Sequence, residues 1–160
     1  MRSLLKYFLV SVKRIVPARE GTAVVELALV LPLILGMIIA MTDLGMGAYT
    51  EMQVQNAAQA GAEYATRAGY NAVGIAAAVT NATGLSGISA TPAPTQSCGC
   101  AAGGTITLFN TSPPCAQPCA SGSVGTFVTV NAQASFTTLF AYPGLPSSLN
   151  LTSQSVIRIK

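Results

Sequence analysis

The hydrophobic and polar pattern changes regime along the chain. Residues 22–41 read TAVVELALVLPLILGMIIAM, apolar on every side, with Glu26 as the only charge. A helix of about 20 such residues crosses a hydrocarbon core of about 30 Å, so the stretch predicts a transmembrane helix over 22–42. From Asp43 to about Thr80 the pattern turns helical but amphipathic. Val54, Ala57, Ala58, Gly61, Ala62, Ala65, Ala68 and Gly69 form a stripe at three- and four-residue spacing. Gln53, Gln55, Gln59, Glu63 and Arg67 mostly fall off that stripe. Glu63 and Arg67 stand four apart, the spacing of a surface ion pair. The stripe is built of small residues, which suits close packing. Its partner is either a neighbouring helix of a similar subunit or the chain's own β domain. Helix running unbroken from Thr22 to Thr80 would measure about 90 Å, at 1.5 Å per residue, and its glycines predict one or more breaks.

Beyond residue 81 the helical period disappears. Residues 81–104 are rich in Gly, Ser, Thr, Pro and Ala and read as loop. Residues 105–110 (TITLFN) alternate and read as a short strand, and 112–123, with prolines and cysteines, read as loop. Residues 124–136 and 155–160 read as strands, and FAYPGLP at 140–146 as a turn. The expected fold is α+β: a long N-terminal transmembrane helix continues into an extracytoplasmic helix, packed on a small antiparallel β-sheet domain. The expected divisions are 1–21 as a basic cytoplasmic leader, 22–42 as the span, 43–80 as the extracytoplasmic helix and 81–160 as a disulfide-bonded β domain.

Charge sharpens this picture. Only 8% of the residues are charged, against about 25% in an ordinary soluble domain. Arg2, Lys6, Lys13, Arg14 and Arg19 precede the apolar stretch, and between Ala68 and Ile157 there is no Asp, Glu, Lys or Arg. By the positive-inside rule the N-terminus is cytoplasmic and the C-terminal part extracytoplasmic. The basic arm is then a topology signal, which argues against nucleic-acid binding. Residues 3–16 place Leu4, Leu5, Phe8, Leu9, Val12, Ile15 and Val16 near one helical face, as in a helix lying on the inner leaflet. A cleaved secretory signal is the weaker reading, because Met46-Gly47-Ala48 puts Met where a small residue is preferred. A buried core helix is weaker still, because nothing else in the chain is large enough to cover it. Pro32 and Gly36 are expected to bend the span.

Catalysis finds little support. There is no histidine, the residues from Ala68 to Ile157 hold no acid or base, and no Walker-type phosphate loop occurs. No catalytic, cofactor-binding or metal-ligating residue is assigned. The cysteines cluster as Cys98-Gly-Cys100 and Cys115-Ala-Gln-Pro-Cys119. Outside the cytoplasm disulfides persist. A Cys98–Cys100 bridge would close a tiny strained ring, so each cysteine of one pair is expected to meet one of the other. The nested arrangement, Cys100 with Cys115 and Cys98 with Cys119, is slightly favoured, and the crossed one stays open. A zinc site built from all four cysteines is the rival, but C-x-C and C-x-x-x-C are not its common spacings.

The most informative motif is Arg19-Glu20-Gly21-Thr22-Ala23-Val24-Val25-Glu26. A basic leader ends in Gly, and a carboxylate lies just inside an apolar helix, where a charge is costly and normally functional. This resembles the processing site of type IV prepilins of the Flp/Tad branch, although Leu27 stands where Flp pilins usually carry an aromatic. The stretch GTAVVELALVLPLILGMIIAMTDLGMGAYTEMQVQNAAQAGAEYATRAG, with NAAQAGAEYA at 56–65, is similar to the TadE-like family. FVTVNAQASFTTLF and LNLTSQSVIRIK are similar, more loosely, to its C-terminal strands.

The resemblance implies cleavage between Gly21 and Thr22 by a prepilin peptidase. It also implies pairing of Glu26 with the new ammonium of a neighbouring subunit, which would set register in a helix bundle. Expected partners are the inner membrane, the peptidase, the major pilin, other minor pseudopilins and an inner-membrane assembly platform. The implied role is a minor pseudopilin-like structural subunit in Tad/Flp pilus assembly. The alternative is an unprocessed single-pass anchor carrying a scaffold or adhesive domain.

Overall fold

The computed structural model describes residues 22–109, 111–140 and 146–160. The basic leader, the amphipathic pattern at 3–16, Gly21 and most of the turn expected at 140–146 lie outside the described residues. Contacts divide the chain into one unit that ends at Thr42 and a second unit, Asp43–Lys160. Helix α1 (Thr22–Ala68) supplies residues to both. In the first unit it carries the apolar stretch, with Pro32 inside the helix. Its most apolar window is long enough to cross a membrane, and none of that window is buried.

In the second unit α1 ends where backbone chemistry ends it. Gly69 adopts φ +77°, a left-handed conformation that costs glycine little, and its N–H donates to the Ala65 carbonyl at 3.0 Å. Helix α2 (Ala72–Asn81) then starts afresh, with Asn71 as N-cap accepting the Gly74 N–H at 3.1 Å. The helix expected over 43–80 is therefore broken at 69–71. Asn71→Ala is expected to cost about 1 kcal/mol of unfolding free energy, read from urea titration of the chain in detergent micelles, and Asn71→Ser much less.

Four strands follow: β1 (Thr95–Ala102), β2 (Thr105–Phe109), β3 (Ser123–Thr137) and β4 (Ser148–Arg158), antiparallel in the order β2-β1-β3-β4. Together with the helices they make an α+β fold. Strand β1 corrects the expectation of loop over 81–104. Its sequence TQSCGCAA shows no β-branched run, but it is hydrogen-bonded on both sides, by β2 and by β3. Ladder pairing overrides weak strand propensity here. Gly99 makes the close packing possible, since a Cβ there would meet the Thr107 carbonyl at 2.9 Å and the Phe127 ring at 3.0 Å. Strand β4 begins at Ser148, upstream of the expected 155, because its Ser-, Asn- and Gln-rich start pairs with β3 from Thr137 back to Asn131.

The core lies between the helices and one face of β3. Val54, Ala57, Ala58, Ala62 and Ala65 of α1 pack with Ile75 and Val79 of α2 and with Val128, Val130, Ala132 and Ala134 of β3. The β3 residues alternate, so they share one face of the sheet. Gly61 lies in the middle of this contact. A Cβ there would stand 2.6 Å from Val79 Cγ2 and 2.8 Å from Val130 Cγ1.

Candidate functional site

The first element of interest is the start of α1. Thr22 is its first residue, and Glu26 lies one turn in, about 6 Å further along the axis. Both are exposed. The one ion pair among the described residues is elsewhere, between Glu63 and Arg67 at 2.9 Å on the surface, and such a pair contributes little to stability. Glu26 thus has no basic partner among the described residues of its own chain, and neither do the apolar side chains from Leu27 to Met41 have a covering partner.

The second element is the point where the apolar stretch ends. Asp43 follows Thr42 directly and is only 5% exposed. Its carboxylate accepts the backbone N–H of Leu139 at 3.0 Å. Leu139 lies just past the end of β3, in the connection to β4, which Thr138 closes by donating its N–H to the Ser147 carbonyl at 3.1 Å. The bond ties the hairpin tip to the base of the domain's helix. A partner 96 positions away leaves no local signal in the sequence. Asp43→Ala is expected to destabilise the domain by about 1 kcal/mol, since a part-buried hydrogen bond is lost. Asp43→Asn retains an oxygen there and is expected to lose less. Hydrogen exchange at the Leu139 amide is the direct check.

The third element is the small-residue stripe. From Val54 to Ala65 it is buried against the chain's own α2 and β3, whereas Ala68 at its end is exposed. Of the partners open to the stripe, the structure uses the chain's own β domain.

The fourth is the segment between β2 and β3. The structure pairs Cys98 with Cys115 and Cys100 with Cys119, at Cα separations of 5.5 Å and 5.8 Å. This is the crossed arrangement, and it corrects the preference for the nested one. Chain direction is the reason. β2 runs back along β1, so the chain leaves it beside Cys98, whose N–H donates to the Thr111 carbonyl at 3.0 Å. It must then reach Ser123, which pairs with Ala101 on the other side of β1. The segment therefore passes over β1 in β1's own direction and meets Cys98 first and Cys100 second. Both cysteines share the β1 face that continues into Val128 and Val130, so the disulfides cover the part of this face beyond the helices. No cysteine is left free.

Comparison with known proteins adds one decisive observation: residues 21–63 match the family model described as TadE-like protein. This part of the chain is similar to TadE-like proteins. The TadE-like segment opens at Gly21, spans the whole exposed apolar part of α1 and ends within the buried stripe. It therefore contains Gly21, Thr22, Glu26 and Asp43, but neither the cysteines nor any strand. No curated protein and no solved structure matches the chain.

Proposed function

We propose that this chain is a minor pseudopilin-like structural subunit of a Tad/Flp pilus system, anchored in the bacterial inner membrane by 22–42 with its sheet domain on the extracytoplasmic side. The observation that carries the reading is the division of labour within α1. Within the TadE-like match, the first part of α1 is apolar, helical and exposed, whereas the part from Val54 onward is packed on a folded domain. A helix built this way suits a subunit that waits in a bilayer and packs sideways with similar helices.

In this reading a prepilin peptidase removes the leader after Gly21, leaving Thr22 as the new N-terminus. The new ammonium of one subunit then faces Glu26 of its neighbour. Such a pair gains from low dielectric but must offset desolvation, so it fixes register more than it adds stability. The partners are the peptidase, the major pilin, other minor pseudopilins and the inner-membrane assembly platform. The role is structural and needs neither cofactor nor nucleic acid. The disulfides fit the oxidising side of the membrane.

The test is intact mass and N-terminal sequencing of the membrane-extracted protein without reductant. The expected species begins at Thr22 and is lighter than its reduced form by the hydrogens of both disulfides. A retained leader in cells with an active prepilin peptidase would overturn processing and favour an unprocessed anchor with a scaffold or adhesive domain. Glu26→Ala is expected to be cleaved and to fold normally but to be lost from complexes captured with the major pilin. Full recovery in those complexes would rule out a role for Glu26 in register.

A further inference from the structure

We infer that Leu139 and Phe140, just past the end of β3, rest in the bilayer interface in contact with lipid. The inference depends on the reading of 22–42 as a membrane span. Thr22 to Thr42 rises about 31 Å as a helix, which matches a hydrocarbon core of about 30 Å. Asp43 is then the first residue past the core. Its carboxylate holds the Leu139 N–H at 3.0 Å. The Leu139 backbone nitrogen can lie no further from the end of the span than one aspartate side chain and one hydrogen bond. The tether is covalent at Thr42–Asp43, so this limit holds for any tilt of the span.

The chemistry of the tip suits that depth. Leu139 is 59% and Phe140 52% exposed. Leu149, opposite Phe136 in the register, and Leu44, next to Asp43, are exposed as well. Single exposed apolar residues are ordinary, but a group at one end of a domain marks an interaction surface. From Ala68 to Ile157 the chain carries no charge, so the β3–β4 connection adds no ionised group beside Asp43 that would oppose entry among headgroups and upper acyl chains. Tyr49 lies about 9 Å further along α1 and is exposed, the position and residue type of an interfacial aromatic. The occupant indicated is therefore lipid, because the Asp43 tether places the surface at the membrane whatever else the protein binds.

The sequence contains no tryptophan, so one introduced residue reports alone. Phe140→Trp, Leu33→Trp in the span and Val73→Trp on α2 are each made in the full chain. Each is reconstituted in phosphatidylethanolamine–phosphatidylglycerol vesicles with plain or acyl-brominated lipids. Circular dichroism confirms that each variant keeps the fold. The expected result is that Phe140→Trp emits to the blue of Val73→Trp and is quenched several-fold by brominated lipid, as Leu33→Trp is. If Leu33→Trp is quenched while Phe140→Trp emits as in water and yields to iodide alone, the hairpin inference is overturned and the span stands. If Leu33→Trp also escapes brominated lipid, the span reading itself fails, and the inference with it. A blue shift at Phe140→Trp that grows with protein concentration and ignores brominated lipid indicates a second copy on this surface, and overturns the inference too.

Discussion

Gly61→Leu is expected to lower the unfolding free energy of the sheet domain by more than about 3 kcal/mol, a large share of the 5–15 kcal/mol typical of a domain. The cause is geometric. Even one added carbon at Gly61 would stand 2.6 Å from Val79 Cγ2 and 2.8 Å from Val130 Cγ1, well inside van der Waals contact. Val79 and Val130 are fully buried, and Ile75 closes the same space, so no neighbour can swing into solvent. Overfilling of this kind costs about 1–3 kcal/mol when small. An alanine gains about 1 kcal/mol of helix propensity in return, so Gly61→Ala is expected to lose only a modest amount. Leucine adds further methylenes to a space with none to spare, and α2 must lift from α1 or β3. Gly45→Ala in the same helix is the control. Nothing lies within 4 Å of a Cβ at Gly45, so that variant is expected to hold or gain stability. Urea titration of each variant in detergent micelles, followed by circular dichroism, reads the difference. A Gly61→Leu midpoint equal to that of the parent would contradict the packing described here.

Removing the Cys98–Cys115 bridge by Cys98→Ala/Cys115→Ala is expected to cost about 3 kcal/mol, the chain-entropy value for a loop of this size. The bridge joins positions 17 apart, and the second joins positions 19 apart. Their weight comes from what they replace. The core of the domain is mostly Ala and Val, with Phe127 its largest fully buried side chain, so apolar burial alone gives a narrow margin. The segment they hold is proline-rich and carries no regular element of its own. Both bridges anchor it to the same strand, so their contributions are not expected to add. Cys98 is almost fully buried whereas Cys100 is only partly so. The Cys98 pair should therefore matter more than Cys100→Ala/Cys119→Ala. The measurement is the urea midpoint of each double variant, with and without reductant. Reductant should shift the parent below both variants and leave each variant only its remaining bridge to lose. A parent indifferent to reductant would mean that the bridges carry no stability.

The disulfides lie at the β1 end of the sheet and the Asp43 contact at the β3–β4 turn, so the domain is fastened at both ends of β3. Neither fastening uses the long apolar stretch, none of whose most apolar part is buried among the described residues. The exposed length from Leu27 to Met41 is consistent with a lipid or protein environment that the described residues do not supply.

The sequence by itself determined the features whose signal is local. Continuous apolarity marked the first part of α1, three-and-four spacing marked its buried stripe, alternation marked β2, and 124–136 read as the strand that became β3. Cysteine spacing limited the pairings, and the run from Gly21 with NAAQAGAEYA at 56–65 pointed to the family whose model matches residues 21–63. These follow from periodicity and composition, which are read over a few residues at a time. Tertiary structure alone decided the rest. It made TQSCGCAA a strand, because ladder partners on both sides outweigh propensity. It chose the crossed disulfides, because the direction in which the linking segment passes over β1 depends on strand order. It assigned the stripe to the chain's own sheet, and it joined Asp43 to Leu139. Each of these depends on which distant segments become neighbours, a relation between positions that no local pattern encodes.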